Sequence, residues 1–184
     1  MSWSVRFNMI IMKVCEGRVS SKRPKIELPI TLIEIVFELA GIMAIFSMIL
    51  ILSKYWPSLP ETIPTHFGFS GKPDGWGGKE SLLFLPILGT FMYICMWFLS
   101  KYPHIYNYPV TITEENAPVQ YLIGRKIINW TRTFVAILFG YLEWASIQGA
   151  LGKSPGLGPW FILVVLLFSF APIIYYIMQA RQGK

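Results

Sequence analysis

The stretch LAGIMAIFSMILILS, residues 39–53, determines the class to which this protein belongs. It has no charged residue, and between Leu28 and this stretch the chain is charged only at Glu34 and Glu38. A helix needs about 20 mostly apolar residues to cross the hydrocarbon core of a bilayer. The segment from residue 28 to about residue 54 therefore predicts a transmembrane helix that carries both acids close to one membrane surface.

Three further runs of comparable length follow this one. Residues 81–100 and 154–180 carry no charge, and residues 133–152 carry only Glu143 within the run. Because backbone polar groups in lipid must be satisfied within the segment, each run predicts a helix. The predicted spans are about residues 28–54, 81–100, 131–151 and 159–180.

We therefore expect an all-α integral membrane protein, a bundle of four transmembrane helices. The membrane domain occupies residues 28–180 and follows a basic cytoplasmic tail, residues 1–27, which can form an interfacial helix. The composition agrees, with 54% hydrophobic and 14% charged residues and a mean hydropathy of +0.50. The basic residues lie between apolar runs, which favours contact with anionic lipid and argues against a nucleic-acid partner.

The distribution of positive charge predicts the orientation. Twelve of the sixteen Lys and Arg residues lie in the tail, in the middle connection with its flanks, and at the C-terminal end. By the positive-inside rule, both termini and the inner connection, residues 101–130, are expected in the cytoplasm. The connection between the first and second helices, residues 55–80, is then an outer loop on the external side of the membrane.

The outer loop has the most distinctive sequence in the chain, YWPSLPETIPTHFGFSGKPDGWGGKES at residues 55–81. Its four prolines and five glycines exclude a long helix or a central strand. The run from Lys72 to Gly75 has the composition of a tight turn, because proline presets φ and glycine accepts positive φ. The loop is therefore predicted to be structured.

Three pieces of this loop, Trp56–Pro60, Ile63–Phe67 and Gly71–Lys79, together with NYPVTITEENAPVQY at residues 107–121, carry a family resemblance. The chain resembles a widespread bacterial family of unknown function, whose domain also occurs in SdpI-type immunity proteins that protect cells against a secreted killing factor. The resemblance marks a set of signature residues in the outer loop: Pro60, Pro64, His66, Phe67, Gly71, Pro73, Asp74, Trp76 and Lys79. In the inner connection it marks Asn107, Tyr108, Pro109, Glu114, Glu115, Asn116 and Tyr121.

His66 is the histidine of the outer loop, and Asp74 follows it closely in sequence. An imidazole with one or two carboxylates can bind a divalent metal or act as an acid–base pair. A lone histidine without a recognised metal-binding spacing is a weak signal, and it can equally fix the loop by bonding to the loop backbone. The sequence therefore predicts no cofactor, and a metal held by His66 with Asp74 stays an alternative to the structural role.

The acids inside the spans need neutralisation. Glu34 and Glu38 share one helix face, where like charges repel, and Arg132 is the nearest cation at similar depth. Glu143 lies nearer the centre of its span, so we expect it to be protonated or to face a water-filled crevice.

The inner connection contains a predicted helix start. Thr113 is expected to cap it, with Glu114 and Glu115 in the first turn. Alternatively, Glu114, Glu115, Arg125 and Lys126 form an exposed docking surface for a cytoplasmic partner. Outside this connection, Cys15 and Cys95 are expected as free thiols, with Cys95 packed as a small apolar side chain.

Three functions are compatible with these patterns. The first is non-enzymatic, SdpI-like immunity or sensing of an extracellular peptide or envelope component. The second is a small transporter or membrane enzyme that uses Glu38, Arg132 and Glu143. The third is an accessory subunit of a membrane complex, which packs through small residues at Gly41 and Ala44 or Ala136 and Gly140. No nucleotide-binding loop or nucleophile motif is present, so the enzyme classes with such motifs are disfavoured.

Overall fold

The structure, a computed structural model, describes residues 23–182. Along the chain lie α1 (Leu32–Tyr55), β1 (Thr62–Phe67), β2 (Pro73–Gly78), α2 (Phe84–Ser100), α3 (Ala117–Ala150) and α4 (Phe161–Gln182). Short 3₁₀ turns at Trp56–Ser58, Lys79–Leu83 and Pro103–Ile105 connect them. The tail up to residue 22, with its predicted interfacial helix and Cys15, lies outside the described residues.

Three helical stretches are long and apolar enough to cross a membrane: Leu32–Ser58, Lys79–Ser100 and Phe161–Gln179. They correspond to the first, second and fourth runs that the sequence predicts. Their outward faces carry large exposed apolar side chains, such as Phe46 and Leu167 at 60% and 65% exposure. Contact of such a surface with water would be unfavourable. The protein is therefore a mostly helical, multi-pass membrane protein.

The third helix differs from the predicted span. α3 begins at Ala117 rather than near residue 131, and it contains 34 residues, which gives it a length of about 51 Å. It is not among the three apolar stretches. It lies at the centre of the fold, in contact with α1, α2 and α4. Its polar residues Asn129, Arg132 and Glu143 are buried against these neighbours.

The outer loop contains a small antiparallel sheet, so the fold is mostly α rather than all-α. β1 pairs with β2, from Thr62 opposite Gly78 to Phe67 opposite Pro73. The prolines of these strands are compatible with the sheet because both strands are edge strands. The predicted exclusion of a central strand is consistent with this arrangement.

The predicted tight turn at Lys72–Gly75 is wrong. Pro73, Asp74 and Gly75 lie in β2. The chain reverses before this strand, between Gly68 and Lys72, where the Gly68 N–H donates to the Lys72 carbonyl at 2.9 Å. Gly71 has a φ of +73°, a conformation that favours glycine. The Asp74 side chain bonds across the sheet to His66 instead of bonding back to its own backbone.

The helix start in the inner connection is shifted by a few residues. The Asn116 side chain accepts from the Thr113 N–H at 2.9 Å, and the Asn116 N–H donates to the Thr113 hydroxyl at 3.3 Å. The helix begins only after this reciprocal pair, at Ala117. Glu114 and Glu115 therefore precede the helix and lie exposed, rather than in its first turn.

Small residues allow the helices to approach closely. Gly140 of α3 faces Met48 of α1, and Gly41 of α1 faces the ring of Tyr93 on α2. These are two of the positions that the sequence suggested for packing against a partner protein, and here they are used within the chain. Cys95 also departs from its prediction, because its side chain is exposed on α2 instead of packed inside.

Candidate functional site

The first acid of α1 is held by several donors. Glu34 is 5% exposed, and its carboxylate accepts from the backbone N–H and the hydroxyl of Thr31, both at 2.8 Å. The Asn129 amide of α3 donates to the same carboxylate at 3.2 Å. Carboxylates at helix N-termini are also favoured by the helix dipole. Glu34 is thus fixed at the start of α1 rather than free at a membrane surface.

Arg125 pairs with Glu34 and corrects the sequence-based view of both residues. Its Nε donates to Glu34 at 2.6 Å and its Nη2 at 3.0 Å, in the bidentate geometry that favours strong pairing. Its Nη1 donates to the carbonyl of Leu28, and its Nη2 also donates to the carbonyl of Pro29. Arg125 is 13% exposed, so it is not part of an exposed docking surface.

One turn further along α1, Glu38 pairs with Arg132. The Arg132 Nη2 donates to the Glu38 carboxylate. The Tyr93 hydroxyl donates to the Glu38 backbone carbonyl at 3.2 Å, and its ring centroid lies 4.9 Å from the Arg132 guanidinium. The structure thus brings together Glu38 and Arg132, the cation that the sequence placed at similar depth.

Some buried polar atoms near these pairs lack partners. Arg132 is 2% exposed, and its Nε and Nη1 have no hydrogen-bond acceptor within residues 23–182. The Asn129 side-chain oxygen likewise has no donor there. Buried polar groups are usually satisfied, so unpaired ones point to water or a ligand.

A cavity of about 610 Å³ opens beside the two ion pairs. It lies where the start of α1, the end of α2 and the first half of α3 meet, at the end of the bundle that the sequence predicts to be cytoplasmic. Glu34, Glu38, Arg125, Asn129 and Arg132 form part of its wall. Lys101 and Glu27 also line it, and both are exposed.

Glu143 does not belong to this cavity. It lies eleven residues after Arg132 on the same helix, a separation of about 16 Å along the axis. Its side chain is 0% exposed, and neither carboxylate oxygen has a partner in the described part of the chain. The Glu38–Arg132 pair and the buried Glu143 are therefore two separate features.

The hairpin presents a second group of candidate residues at the opposite end of α3. His66 Nδ1 bonds to the Asp74 carboxylate, and the two side chains are 73% and 51% exposed. Trp76 and Phe69 are 60% and 93% exposed. Residues 23–182 contain no group of three or more His, Cys, Asp or Glu side chains arranged to hold a metal.

Buried contacts anchor the hairpin to the helices. Ile63 and Pro64 of β1 are buried, and Pro64 faces Gly149 near the end of α3. At the hairpin tip, the Leu157 N–H donates to the Gly71 carbonyl at 2.8 Å. Beside the sheet, Lys79 pairs with Glu61 at 2.8 Å. The hairpin connection and the connection between α3 and α4 are thus joined into one cap.

The signature residues of the inner connection, apart from the half-buried Asn116, divide into two groups. Tyr108 and Tyr121 are buried and pack against each other, and their hydroxyls donate to the carbonyls of Pro103 and Pro24. Burial raises the pKa of Tyr108 well above its usual value. Asn107, Pro109, Glu114 and Glu115 are exposed.

Comparison with known proteins gives the family. A family model described as a domain of unknown function (DUF1648) matches residues 42–90. An uncharacterized protein of Archaeoglobus fulgidus is 36% identical over 140 residues, covering 67% of this chain and 74% of the relative. The chain belongs to the DUF1648 family. No solved structure matches.

The DUF1648 match covers the later part of α1, the whole hairpin and the first turns of α2. The hairpin signature therefore belongs to the domain itself. The charged residues of the cavity, Glu34, Glu38, Arg125 and Arg132, lie outside the matched segment.

Proposed function

We propose that this DUF1648 protein is a non-enzymatic membrane protein that recognises an extracellular peptide or envelope component through its hairpin. The observation that supports this proposal is the two-sided character of the hairpin. Ile63 and Pro64 fix it to the helices, whereas His66, Asp74 and Trp76 are exposed. A rigid element with exposed aromatic and polar side chains loses little entropy on binding. The role is of the SdpI-like sensing or immunity type that the signature implies.

We propose further that the chain crosses the cytoplasmic membrane of a bacterial cell four times, with α3 as the span surrounded by the others. Both termini are then inside and the hairpin is outside. The distribution of Lys and Arg supports this orientation. The buried polar face of α3 supports a central rather than a lipid-facing position for that helix.

An extended peptide is the ligand that the sheet favours. Within the described residues, β2 pairs with β1 alone, so its second edge has backbone groups available for an added strand. Side chains along β2 alternate in exposure, with Asp74 and Trp76 among the exposed ones. These two would contact alternate side chains of the peptide.

The test is a protection assay in cells that express the protein and are challenged with a secreted killing peptide. We expect His66→Ala and Asp74→Ala to abolish protection while the protein still inserts in the membrane. Lys153→Ala, in the other outer connection, is the matched control and should protect normally. Full protection by both hairpin variants would contradict recognition through the hairpin.

The alternative is a small transporter or membrane enzyme, and the charged cavity beside Glu38 and Arg132 favours it. The separation of Glu143 from that cavity counts against a continuous path through the bundle. Glu143→Gln should abolish transport or catalysis under this alternative at normal expression. Retained activity would remove Glu143 from the mechanism.

A further inference from the structure

The cavity at the inner end of the bundle has two kinds of wall. Ile35, Leu39 and Trp97 give it an apolar side, and the ion-paired acids and arginines give it a charged side. On the proposed topology, its position at the ends of α1 and α2 corresponds to the depth at which a lipid changes from acyl chain to headgroup. An amphipathic molecule with a small polar head matches this combination.

Most of the charges in the wall are already engaged. Arg125 donates to Glu34 and to two backbone carbonyls, so its role is structural. Lys101 and Glu27 line the cavity without an ion pair to any other described residue. Glu38 remains one-third exposed in spite of its pair with Arg132. Three charges therefore remain accessible to a ligand: Lys101, whose ammonium also lies 4.6 Å from the Trp97 ring centroid, Glu27, and the exposed part of Glu38.

The buried polar atoms give an independent indication that the cavity is built to hold something. Asn129 is 5% exposed and Arg132 is 2% exposed, and both line the cavity. Each has at least one polar atom with no partner within residues 23–182. Leaving such atoms unsatisfied is costly, and ordered water between these buried atoms and a polar ligand would remove that cost.

We propose that this cavity binds the zwitterionic headgroup of a membrane lipid, one that carries a phosphate and a primary ammonium group. The phosphate faces Lys101, and the ammonium faces Glu38 and Glu27. The wall contains three acids and three bases, so a ligand without net charge suits it better than a simple anion. The acyl chains extend along Ile35 and Leu39 into the bilayer. This site is independent of the hairpin and of its proposed role.

The experiment uses the purified full chain in detergent micelles and measures lipid binding by native mass spectrometry. Phosphatidylethanolamine, phosphatidylglycerol, phosphatidylcholine and inorganic phosphate are titrated separately. We expect phosphatidylethanolamine to bind about tenfold more tightly than phosphatidylglycerol, because only the former has an ammonium group for the carboxylates. Phosphatidylcholine should also bind less tightly, because its quaternary ammonium cannot donate a hydrogen bond.

Two variants test the assigned contacts. Lys101→Gln and Glu27→Gln change exposed side chains, so the fold should remain intact, and each should weaken phosphatidylethanolamine binding about tenfold. Lys72→Gln and Glu80→Gln, both exposed at the outer end, are the matched controls and should leave binding unchanged. Normal phosphatidylethanolamine binding by both cavity variants would overturn the proposal.

Two further outcomes identify a different ligand. Equal affinity for phosphatidylglycerol would show that the ammonium is not recognised, and this would overturn the zwitterion assignment. Binding of inorganic phosphate as tight as that of the lipid would identify the free anion as the ligand and overturn the lipid source. Hairpin variants such as His66→Ala should retain normal lipid binding, so failure of this site and failure of hairpin recognition can be distinguished.

Discussion

Glu34 shows how a buried charge is accommodated in this protein. Thr31, Asn129 and Arg125 all donate to its carboxylate, and each of the three Arg125 side-chain nitrogens donates at least one hydrogen bond. A buried pair of this kind contributes little compared with an apolar pair, but it becomes expensive when one partner is removed. The pair therefore makes α1 and α3 dependent on each other.

We predict that Arg125→Met lowers the free energy of unfolding by about 3 to 5 kcal/mol, because it leaves the Glu34 charge buried and uncompensated. The double variant Glu34→Gln with Arg125→Met should lose less than the single one. Unfolding in detergent followed by circular dichroism measures both. Lys126→Met, a change at the neighbouring position, is the control; an equal loss there would show that the effect is not specific to the pair.

Glu143 is a carboxyl group without a partner in the described chain. An isolated carboxylate in an apolar interior costs so much that the neutral acid is the expected form. We predict that Glu143→Gln changes the free energy of unfolding by less than about 1 kcal/mol, since it replaces one neutral polar group by another. Glu143→Lys should prevent normal accumulation in the membrane.

The same two substitutions at exposed Glu80 provide the comparison for Glu143 and should both be tolerated. Membrane yield and thermal unfolding are the measurements. A large loss with Glu143→Gln would mean that the carboxyl group is ionised and paired with a group beyond the described residues.

Among the elements, the hairpin depends on one glycine for its attachment. Gly71 combines a φ of +73° with close contact to the backbone of Gly158. A side chain at this position would have to adopt a left-handed conformation and would also collide with main-chain atoms. The tip of the hairpin can therefore approach the α3–α4 connection only because residue 71 has no Cβ.

Gly71→Ala tests this attachment against a glycine in similar backbone geometry. Gly152 has a φ of +68°, but nothing lies within 4 Å of the position where its Cβ would be. Both substitutions should cost about 1 to 2 kcal/mol for the left-handed conformation. Only Gly71→Ala should add the steric cost and make the hairpin sensitive to protease. Equal protease resistance of the two variants would contradict the close packing at Gly71.

The element boundaries show what local sequence can and cannot predict. Charge-free runs predict α1, α2 and α4 well because lipid imposes one simple requirement on their whole length. The sequence predicts the turn too late in the chain because Pro73-Asp74-Gly75 has turn composition. The register of the hairpin is instead decided by the bond between Asp74 and His66 and by the positive φ of Gly71. Such cross-strand contacts are not visible in a local window.

At the scale of the whole molecule, orientation is the property to test first. In a background with both native cysteines replaced, Phe69→Cys lies at the hairpin tip and Glu114→Cys in the inner connection. We predict that a membrane-impermeant thiol reagent labels Phe69→Cys in intact cells and labels Glu114→Cys only after lysis. Both positions are exposed, so access to the reagent is limited by the membrane alone. The reverse pattern would invert the proposed topology.

The candidate site was only partly predictable from sequence, because its ion pairs join helices that are far apart along the chain. The expected depth of each charged residue in the membrane was enough to identify Arg132 as an ion-pair partner for the acids of α1. It was not enough to select Arg125, which is 91 residues from Glu34 in sequence. Arg125, Asn129 and Arg132 follow one another at intervals of four and three residues, so they lie on one face of α3, and this was the available signal. Tyr93 gave no comparable signal.

The bond between Leu157 and Gly71 has a consequence for biosynthesis. A ribosome completes the hairpin and the helices α1, α2 and α3 before it makes Leu157, so on the proposed topology the tip of the hairpin stays unclamped until the last connection has crossed the membrane. Closure of the outer cap is therefore a late step of assembly. A chain that ends after residue 151 would have the hairpin without the Leu157 clamp, so its tip would stay open.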